Sequence, residues 1–350
     1  MKTIFVTGGA GFIGSAFVRF VLGATDDVAI VNFDALTYAG NLENLTGLNE
    51  GRHTFVKGDI RSRDEVMAAM PVDCDAIFNF AAESHVDRSI DSADEFLTTN
   101  IIGTQVLLDA AREKGVRRFV QVSTDEVMGS LPETSDDLFT EGSPLRPNSP
   151  YAASKASAEL VVRAAAETFG VDAVVTRCGN NYGPRQFPEK LVPLMIANAL
   201  NDEPLPVYGD GRNVRDWIFV EDHCRAVWLA YEHGKPGDLF NIGARNERRN
   251  IDVVEAILDS LGKPHSLIKF VTDRLGHDRR YAIDPTKTET ELGWKPATAW
   301  ETGLEKTIDW YLGNQVWVDH VRSGDYRDYY QKMYGASLDL SRKERGLTRE

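Results

Sequence analysis

Thr3-Ile4-Phe5-Val6-Thr7-Gly8-Gly9-Ala10-Gly11-Phe12-Ile13-Gly14 is the stretch that decides the fold. A short apolar run, a glycine turn and an amphipathic run from Ser15 to Leu22 spell strand, turn, helix. The glycines serve the turn, let backbone N–H groups approach a pyrophosphate, and allow the helix to pack closely on the strand. The spacing is GxxGxxG, not GxGxxG. The next strand, Val28-Ala29-Ile30-Val31-Asn32-Phe33, ends at Asp34, twenty residues beyond Gly14. A carboxylate there accepts hydrogen bonds from the adenosine ribose hydroxyls and repels a 2′-phosphate, so the pattern predicts NAD rather than NADP.

Strands then recur in step with helices. His53-Thr54-Phe55-Val56-Lys57 leads to Gly58-Asp59-Ile60 and a helix to about Met70. Asp75-Ala76-Ile77-Phe78-Asn79-Phe80 leads to Ala81-Ala82-Glu83-Ser84-His85, and a long helix runs from about Ala93 to Lys114. Val116–Val122 and Val171–Arg177 supply two more strands. This alternation predicts an α/β fold with a Rossmann-like, doubly wound parallel sheet. Ala81 and Ala82, small residues at a strand's carboxyl end, let a cofactor lie against the backbone. His85 reads as a loop histidine bonded to its neighbours.

Beyond Asn181 the pattern breaks into shorter pieces. Glu189-Lys190-Leu191 opens a helix to about Leu200, Leu205–Tyr208 is a short strand, and Arg215-Asp216-Trp217 precedes another. Helices follow at about Val220 to His233 and Trp300 to Gly313, then an aromatic-rich segment through Tyr330. The expected division is an NAD-binding Rossmann domain over 1–178, to which later segments return. A smaller C-terminal α/β substrate-binding domain covers 179–330, and a charged tail 331–350.

The chain has 350 residues, room for a large α/β domain and a smaller one. Its net charge of −14 argues against nucleic acid or a membrane surface as a general partner, and an anionic substrate would need a local cationic patch. Cys74, Cys178 and Cys224 form no CxxC and cannot all pair, which fits a reducing, cytoplasmic setting. The first apolar run is interrupted at once by glycine, so no signal peptide is expected, and no window approaches a membrane span. No metal site is expected.

A second stretch carries the chemistry. Val116–Val122 delivers Ser123-Thr124-Asp125-Glu126 to the carboxyl edge of the sheet, where ligands sit in open α/β folds. Asn148-Ser149-Pro150 supplies a cap and a first-turn proline for the next helix. On that helix Tyr151 and Lys155 are i and i+4 and share a face. A free tyrosine has a pKa near ~10 and is a poor base at neutral pH. A nearby ammonium, a bound cationic nicotinamide and the positive helix end each favour the phenolate. A phenolate so prepared takes a proton from an alcohol while its carbon gives up hydride. Adjacent strand residues point to opposite faces, so Asp125 and Glu126 reach one substrate only if the chain leaves strand geometry there. Gly129 and the loop to Pro144 make that turn plausible.

TGGAGFIG (7–14), NFAAESHVDRSI (79–90), STDEV (123–127), SPYAASKA (149–156), TRCGNNYGPRQFPEKLVPLMI (176–196) and GHDRRYAID (276–284) together resemble the dTDP-glucose 4,6-dehydratases, extended short-chain dehydrogenases/reductases. The glycine motif and YxxxK mark only the superfamily. The Thr-Asp-Glu run and the second-half motifs point to the dehydratases. The resemblance implies that Tyr151, helped by Lys155, takes the proton of the sugar's O4 while C4 passes hydride to NAD⁺. Glu126 then removes the C5 hydrogen, Asp125 protonates the departing C6 hydroxyl, and hydride returns to C6. Thr124 holds the O4 region.

By the same resemblance, cofactor contacts fall on Gly8, Gly11, Phe12, Ile13, Gly14, Asp34, Ala35, Leu36, Thr37, Asp59, Ile60, Ala81, Ala82, Thr99, Tyr151, Lys155 and Asn181. Substrate contacts fall on Ser84, Thr124, Asn180, Lys190, Leu191, Pro206, Val207, Tyr208, Arg215, Asn250, Asp273, Arg274 and His277. Arg215 and Arg274 suit phosphates, and Tyr208 with Pro206 offers a stacking face. A homodimer built on the helices near 93–114 and 150–170 is also implied. The sequence departs from the family at Met128, where tyrosine is usual, which leaves open an effect on the pocket. Two other readings stand beside this one. One is a related nucleotide-sugar epimerase or a dehydratase for another base. The other is a non-catalytic NAD-binding protein.

Overall fold

The computed structural model describes residues 1–323. Strands β1 (Lys2–Thr7), β2 (Val28–Asp34), β3 (His53–Lys57), β4 (Cys74–Asn79), β5 (Arg118–Thr124) and β6 (Ala173–Cys178) build most of the main sheet. The later strands are β7 (Asn180–Tyr182), β8 (Leu205–Tyr208), β9 (Val214–Phe219), β10 (Leu239–Ile242), β11 (Glu247–Arg249) and β12 (Ile268–Val271). The main sheet has seven strands in the order β10-β6-β5-β4-β1-β2-β3, and every pairing in it is parallel. Strand order reverses between β1 and β4, which opens a crevice at their carboxyl ends. There the buried Thr7 hydroxyl donates to Asn79 Oδ1 at 2.7 Å and joins the two strands.

Both faces of the sheet are covered, as a parallel sheet requires. Helices Phe12–Ala24 and Val220–His233 bury Phe17, Val21, Val227 and Trp228 against one face. Helices Thr104–Lys114 and Pro150–Phe169 bury Leu107, Leu108 and Val162 against the other. A separate core gathers Leu191–Leu200, Asn250–Leu261 and Trp300–Gly313 around Val207, Trp217 and Phe219. Two small sheets accompany it, β11-β9-β7 and β12-β8.

Two local expectations change. The long helix predicted from about Ala93 is interrupted by a π-helical segment, Thr98–Gly103, between Asp94–Leu97 and Thr104–Lys114. Arg215-Asp216-Trp217 lies inside β9 rather than before a strand. The two charges disguise the strand, yet both are buried and satisfied. Asp216 accepts the backbone N–H groups of Ala244 and Asn246, and Arg215 donates to the Asp278 carbonyl at 2.9 Å.

The three cysteines are free and buried. Among the described residues no helix is long and apolar enough to cross a membrane, and no group of three or more His, Cys, Asp or Glu side chains could hold a metal ion. The segment through Tyr330 and the charged tail fall outside the described residues beyond 323.

Candidate active site

The end of β5 sets the centre of the site. Thr124 is the last extended residue, and its hydroxyl accepts the Glu126 N–H at 3.3 Å. That cap starts a 3₁₀ turn over Asp125–Met128, which Gly129 leaves at φ +86°. A side chain at Gly129 would sit 2.5 Å from the Arg146 carbonyl oxygen, so the turn needs glycine for both conformation and space. The chain therefore leaves strand geometry where the acids stand, and Asp125 and Glu126 both line one cleft.

Helix Pro150–Phe169 starts on the Ser149 cap, whose hydroxyl accepts the Ala152 N–H at 3.1 Å, with Pro150 in its first turn. Tyr151 and Lys155 are both buried on it. The Lys155 ammonium donates to the Val122 carbonyl of β5 at 2.7 Å. Burial pushes the Lys155 pKa down to about 8, although the Cys178 and Glu159 charges pull the other way. Tyr151 departs from expectation: burial first, then the Glu126, Cys178 and Asp125 charges, hold its phenol well above 10.

Asp125 is held well above the ordinary carboxylate range, chiefly by burial and then by the Glu126 charge. Its Oδ2 is buried with no hydrogen-bond partner among the described residues. Glu126 is raised by burial too, but Arg274, Lys190 and Arg215 oppose the shift. The neighbouring acids thus differ in surroundings: three cations oppose the rise of Glu126, whereas the Glu126 charge adds to the rise of Asp125.

The cleft, of about 420 Å³, runs from the glycine turn past these acids to Tyr208 and His277. At its first end a dinucleotide fits. A Cβ at Gly14 would lie 2.2 Å from the Gly8 oxygen, and one at Gly8 would lie 2.5 Å from the Ala81 nitrogen. Helix Phe12–Ala24 has no side-chain cap and no acid in its first turn, leaving its N-terminus to an anion. Asp34 accepts the Ala10 N–H at 2.9 Å and the Leu36 N–H at 2.8 Å, and each oxygen keeps a lone pair for a hydroxyl.

At the other end Lys190 donates to the Ser84 carbonyl at 2.6 Å, and the Arg215 guanidinium lies 4.1 Å from the Tyr281 ring centroid. Asn181 Oδ1 is 2.9 Å from His223 Nδ1 and its Nδ2 donates to the Gly179 carbonyl. His85 caps helix Val86–Asp91, accepting the Arg88 N–H at 3.4 Å. Its pKa falls well below 6.5 through burial and then the Lys190, Arg88 and Arg274 charges.

A family model described as GDP-mannose 4,6 dehydratase matches residues 5–307. A dTDP-glucose 4,6-dehydratase of Neisseria meningitidis serogroup B is 52% identical over 351 residues, spanning 93% of this chain and 98% of that protein. The chain belongs to the dTDP-glucose 4,6-dehydratase family. The low-salt glycan biosynthesis protein Agl12 of Haloferax volcanii is also similar, at 53% identity over 312 residues, spanning 89% of this chain and 99% of that protein. Among solved structures, the dTDP-glucose 4,6-dehydratase DesIV of Streptomyces venezuelae, with NAD and TYD bound, aligns with TM-score 0.89 at 47% identity, covering 91% of this chain and all of that one. A Thermotoga maritima UDP-glucose 4-epimerase with UDP-glucose aligns with TM-score 0.83 at 30% identity, covering 90% of this chain and all of that one.

Of the residues singled out in the sequence, Thr124, Asp125, Glu126, Tyr151 and Lys155 lie in the cleft, as do all the cofactor and substrate candidates except two. Leu36 does not line it and contributes only its backbone N–H to Asp34. Asp273 does not line it either and holds His277 by a 2.6 Å contact to Nδ1. Met128 does not line the cleft; it is buried with Val127, Phe139, Ala156 and Ile283 in a small core, where it fills space. Asp87, Glu189 and Tyr281 line the cleft without having been singled out. Each stood inside a recognised motif, but only the fold shows which motif positions face inward.

Proposed function

We propose that this chain converts dTDP-glucose to dTDP-4-keto-6-deoxyglucose with NAD as resident cofactor. The observation that carries the reading is the Asp125–Glu126 pair, turned into one cleft with Tyr151 and Lys155 by the Thr124-capped 3₁₀ turn. When bound, NAD supplies a two-electron acceptor that is regenerated within each turnover.

Tyr151 Oη takes the proton of the sugar's O4. Burial, ahead of the neighbouring charges, holds its phenol well above 10, so the Lys155 ammonium, fixed on Val122, needs a further positive charge beside it to favour phenolate. Once C4 is a ketone the C5 hydrogen is acidic, and Glu126 removes it. Arg274, Lys190 and Arg215 oppose the upward shift that burial gives that carboxylate. Asp125, whose pKa is raised by burial and then by the Glu126 charge, gives its proton to the C6 oxygen as the C6–O bond breaks and water leaves. Glu126 returns its proton to C5 as C6 is reduced. Tyr151 has then gained a proton and Asp125 has lost one, and transfer between them resets the site. The cationic end formed by Lys190, Arg215 and Arg274 receives the diphosphate.

We place NAD binding on residues 1–178 with β10 returned to its sheet, and the sugar nucleotide mainly on 179–330. We also infer a cytoplasmic homodimer formed through the helices around 94–114 and Pro150–Phe169. Leu97, Ile102 and Leu160 are exposed on these helices, and sedimentation tests the dimer.

Oxidation at C4 followed by return to C4 would make an epimerase, as the Thermotoga relative's name suggests for that protein. Such a reaction would leave Asp125 and Glu126 idle. Mass spectrometry after incubation with dTDP-, UDP- and GDP-glucose separates the readings. Loss of one water from the dTDP sugar, without stoichiometric NADH, is expected. A product of unchanged mass contradicts it. Tyr151→Phe should abolish turnover while NAD stays bound.

A further inference from the structure

Asp87 links the two halves of the cleft. It stands in the first turn of helix Val86–Asp91, which follows β4 of the main sheet, and its side chain is buried in the cleft wall. Its Oδ2 accepts the Tyr208 hydroxyl at 3.1 Å, and its Oδ1 lies 3.6 Å from Arg274 Nη1. Both partners stand at one end of the small β12-β8 sheet. Tyr208 ends β8, and Arg274 follows β12, whose Val271 pairs with Tyr208. One carboxylate from the cofactor side therefore holds an aromatic ring and a guanidinium from the opposite wall.

The physical consequences differ for the two partners. A tyrosine ring offers a stacking face only while its plane is fixed, and the hydroxyl bond to Asp87 fixes it from one edge. His277 packs against the same ring edge-on, with centroids 6.0 Å apart. A guanidinium is a fork whose direction decides which anion it can grip. The Asp87 carboxylate also offsets burial of the Arg274 charge, whose pKa burial pulls down and the Asp87 and Glu126 carboxylates raise overall. Neither partner is one of the groups proposed to move protons.

We propose that Asp87 is a positioning residue for the nucleotide end of the substrate, orienting Tyr208 towards the base and Arg274 towards the diphosphate. The proposal rests on the sugar-nucleotide reading of the cleft, and it concerns binding rather than the acid–base steps.

The test is calorimetric titration of dTDP into the purified holoenzyme, alongside steady-state kinetics with dTDP-glucose, for Asp87→Asn, Tyr208→Phe and the double variant. Asp87→Asn should weaken dTDP binding and raise KM roughly tenfold, the size expected for a lost charge-assisted contact, while kcat falls less than about threefold. Because the two side chains act through one bond, the double variant should lose less affinity than the two single losses multiplied together. NAD content should not change. Unaltered dTDP affinity in Asp87→Asn, or fully multiplicative losses, overturns the proposal. If Asp87→Asn fails to fold, Tyr208→Phe alone decides, because it keeps the ring and removes only the hydroxyl. Unchanged dTDP affinity in that variant overturns the proposal as well. Binding of dTDP is read without turnover, so a protein that binds it but dehydrates no sugar sinks the proposed reaction and leaves the Asp87 assignment to be judged on affinity.

Discussion

Lys155 donates its ammonium to the Val122 carbonyl at 2.7 Å, which fixes the helix carrying Tyr151 to the strand that leads into the turn bearing Asp125 and Glu126. The folded pKa of about 8 lies below the ordinary 10.5 because burial opposes the charge. The unfolded chain therefore binds this proton more tightly. Stability rises with pH between about 8 and 10.5 in the wild type. Lys155→Met lacks that gain. Thermal unfolding of both proteins from pH 7 to 10 should show the difference in midpoint moving in the wild type's favour. Turnover of the variant should fall by about 10²-fold or more. A difference that does not change with pH contradicts the buried ammonium.

The acid pair predicts a bell-shaped pH dependence for kcat. Asp125 must be protonated, so activity is present below its raised pKa and is lost as pH rises through it. Glu126 must be ionised, so activity is lost as pH falls through its own raised value. Glu126→Gln and Asp125→Asn should each cut dehydration by roughly 10²- to 10⁴-fold. Both should leave C4 oxidation observable as nicotinamide absorbance in a single turnover. Full dehydration by either variant removes that acid from the mechanism.

Gly14→Ala places a methyl group 2.2 Å from the Gly8 oxygen, with the Gly9 Cα at 2.8 Å. Backbone cannot yield as a side chain can, so the turn must open. The variant should purify with much less NAD and a lower unfolding midpoint. Retention of full NAD content would show that the glycine turn is not the pyrophosphate cradle.

Met128→Tyr restores the residue usual in the family at a position 2% exposed and packed by Val127, Phe139, Ala156 and Ile283. Enlarging a filled core costs about 1–3 kcal/mol. Urea denaturation should show that loss, while kcat/KM for dTDP-glucose stays within about twofold, because the side chain does not line the cleft. A large change in kcat/KM would mean that this core controls the pocket.

Where apolar pattern and glycine placement dictate structure, the sequence was a good guide. The strands His53–Lys57 and Leu205–Tyr208 and the helices Val220–His233 and Trp300–Gly313 lie where the pattern put them. Arg215 and Asp216 misled because their buried partners come from distant segments, which no local window contains. The π segment at Thr98–Gly103 left no mark on the helical periodicity. Tyr151 and Lys155 were legible from spacing, but the direction of the Tyr151 shift was not. It depends on how deeply the phenol is buried beside Glu126 and Asp125. Asp87 was hidden for a similar reason, since its meaning lies in Tyr208 and Arg274 across the cleft.

The central claim is that electrons taken from the sugar's C4 are returned to the same molecule at C6 once water has left. Incubation with dTDP-glucose deuterated at C4, followed by mass and NMR analysis of the product, tests it most directly. The account predicts a product lighter by one water, with the deuterium at C6. A product that keeps its C6 oxygen, or deuterium found anywhere other than C6, would contradict it.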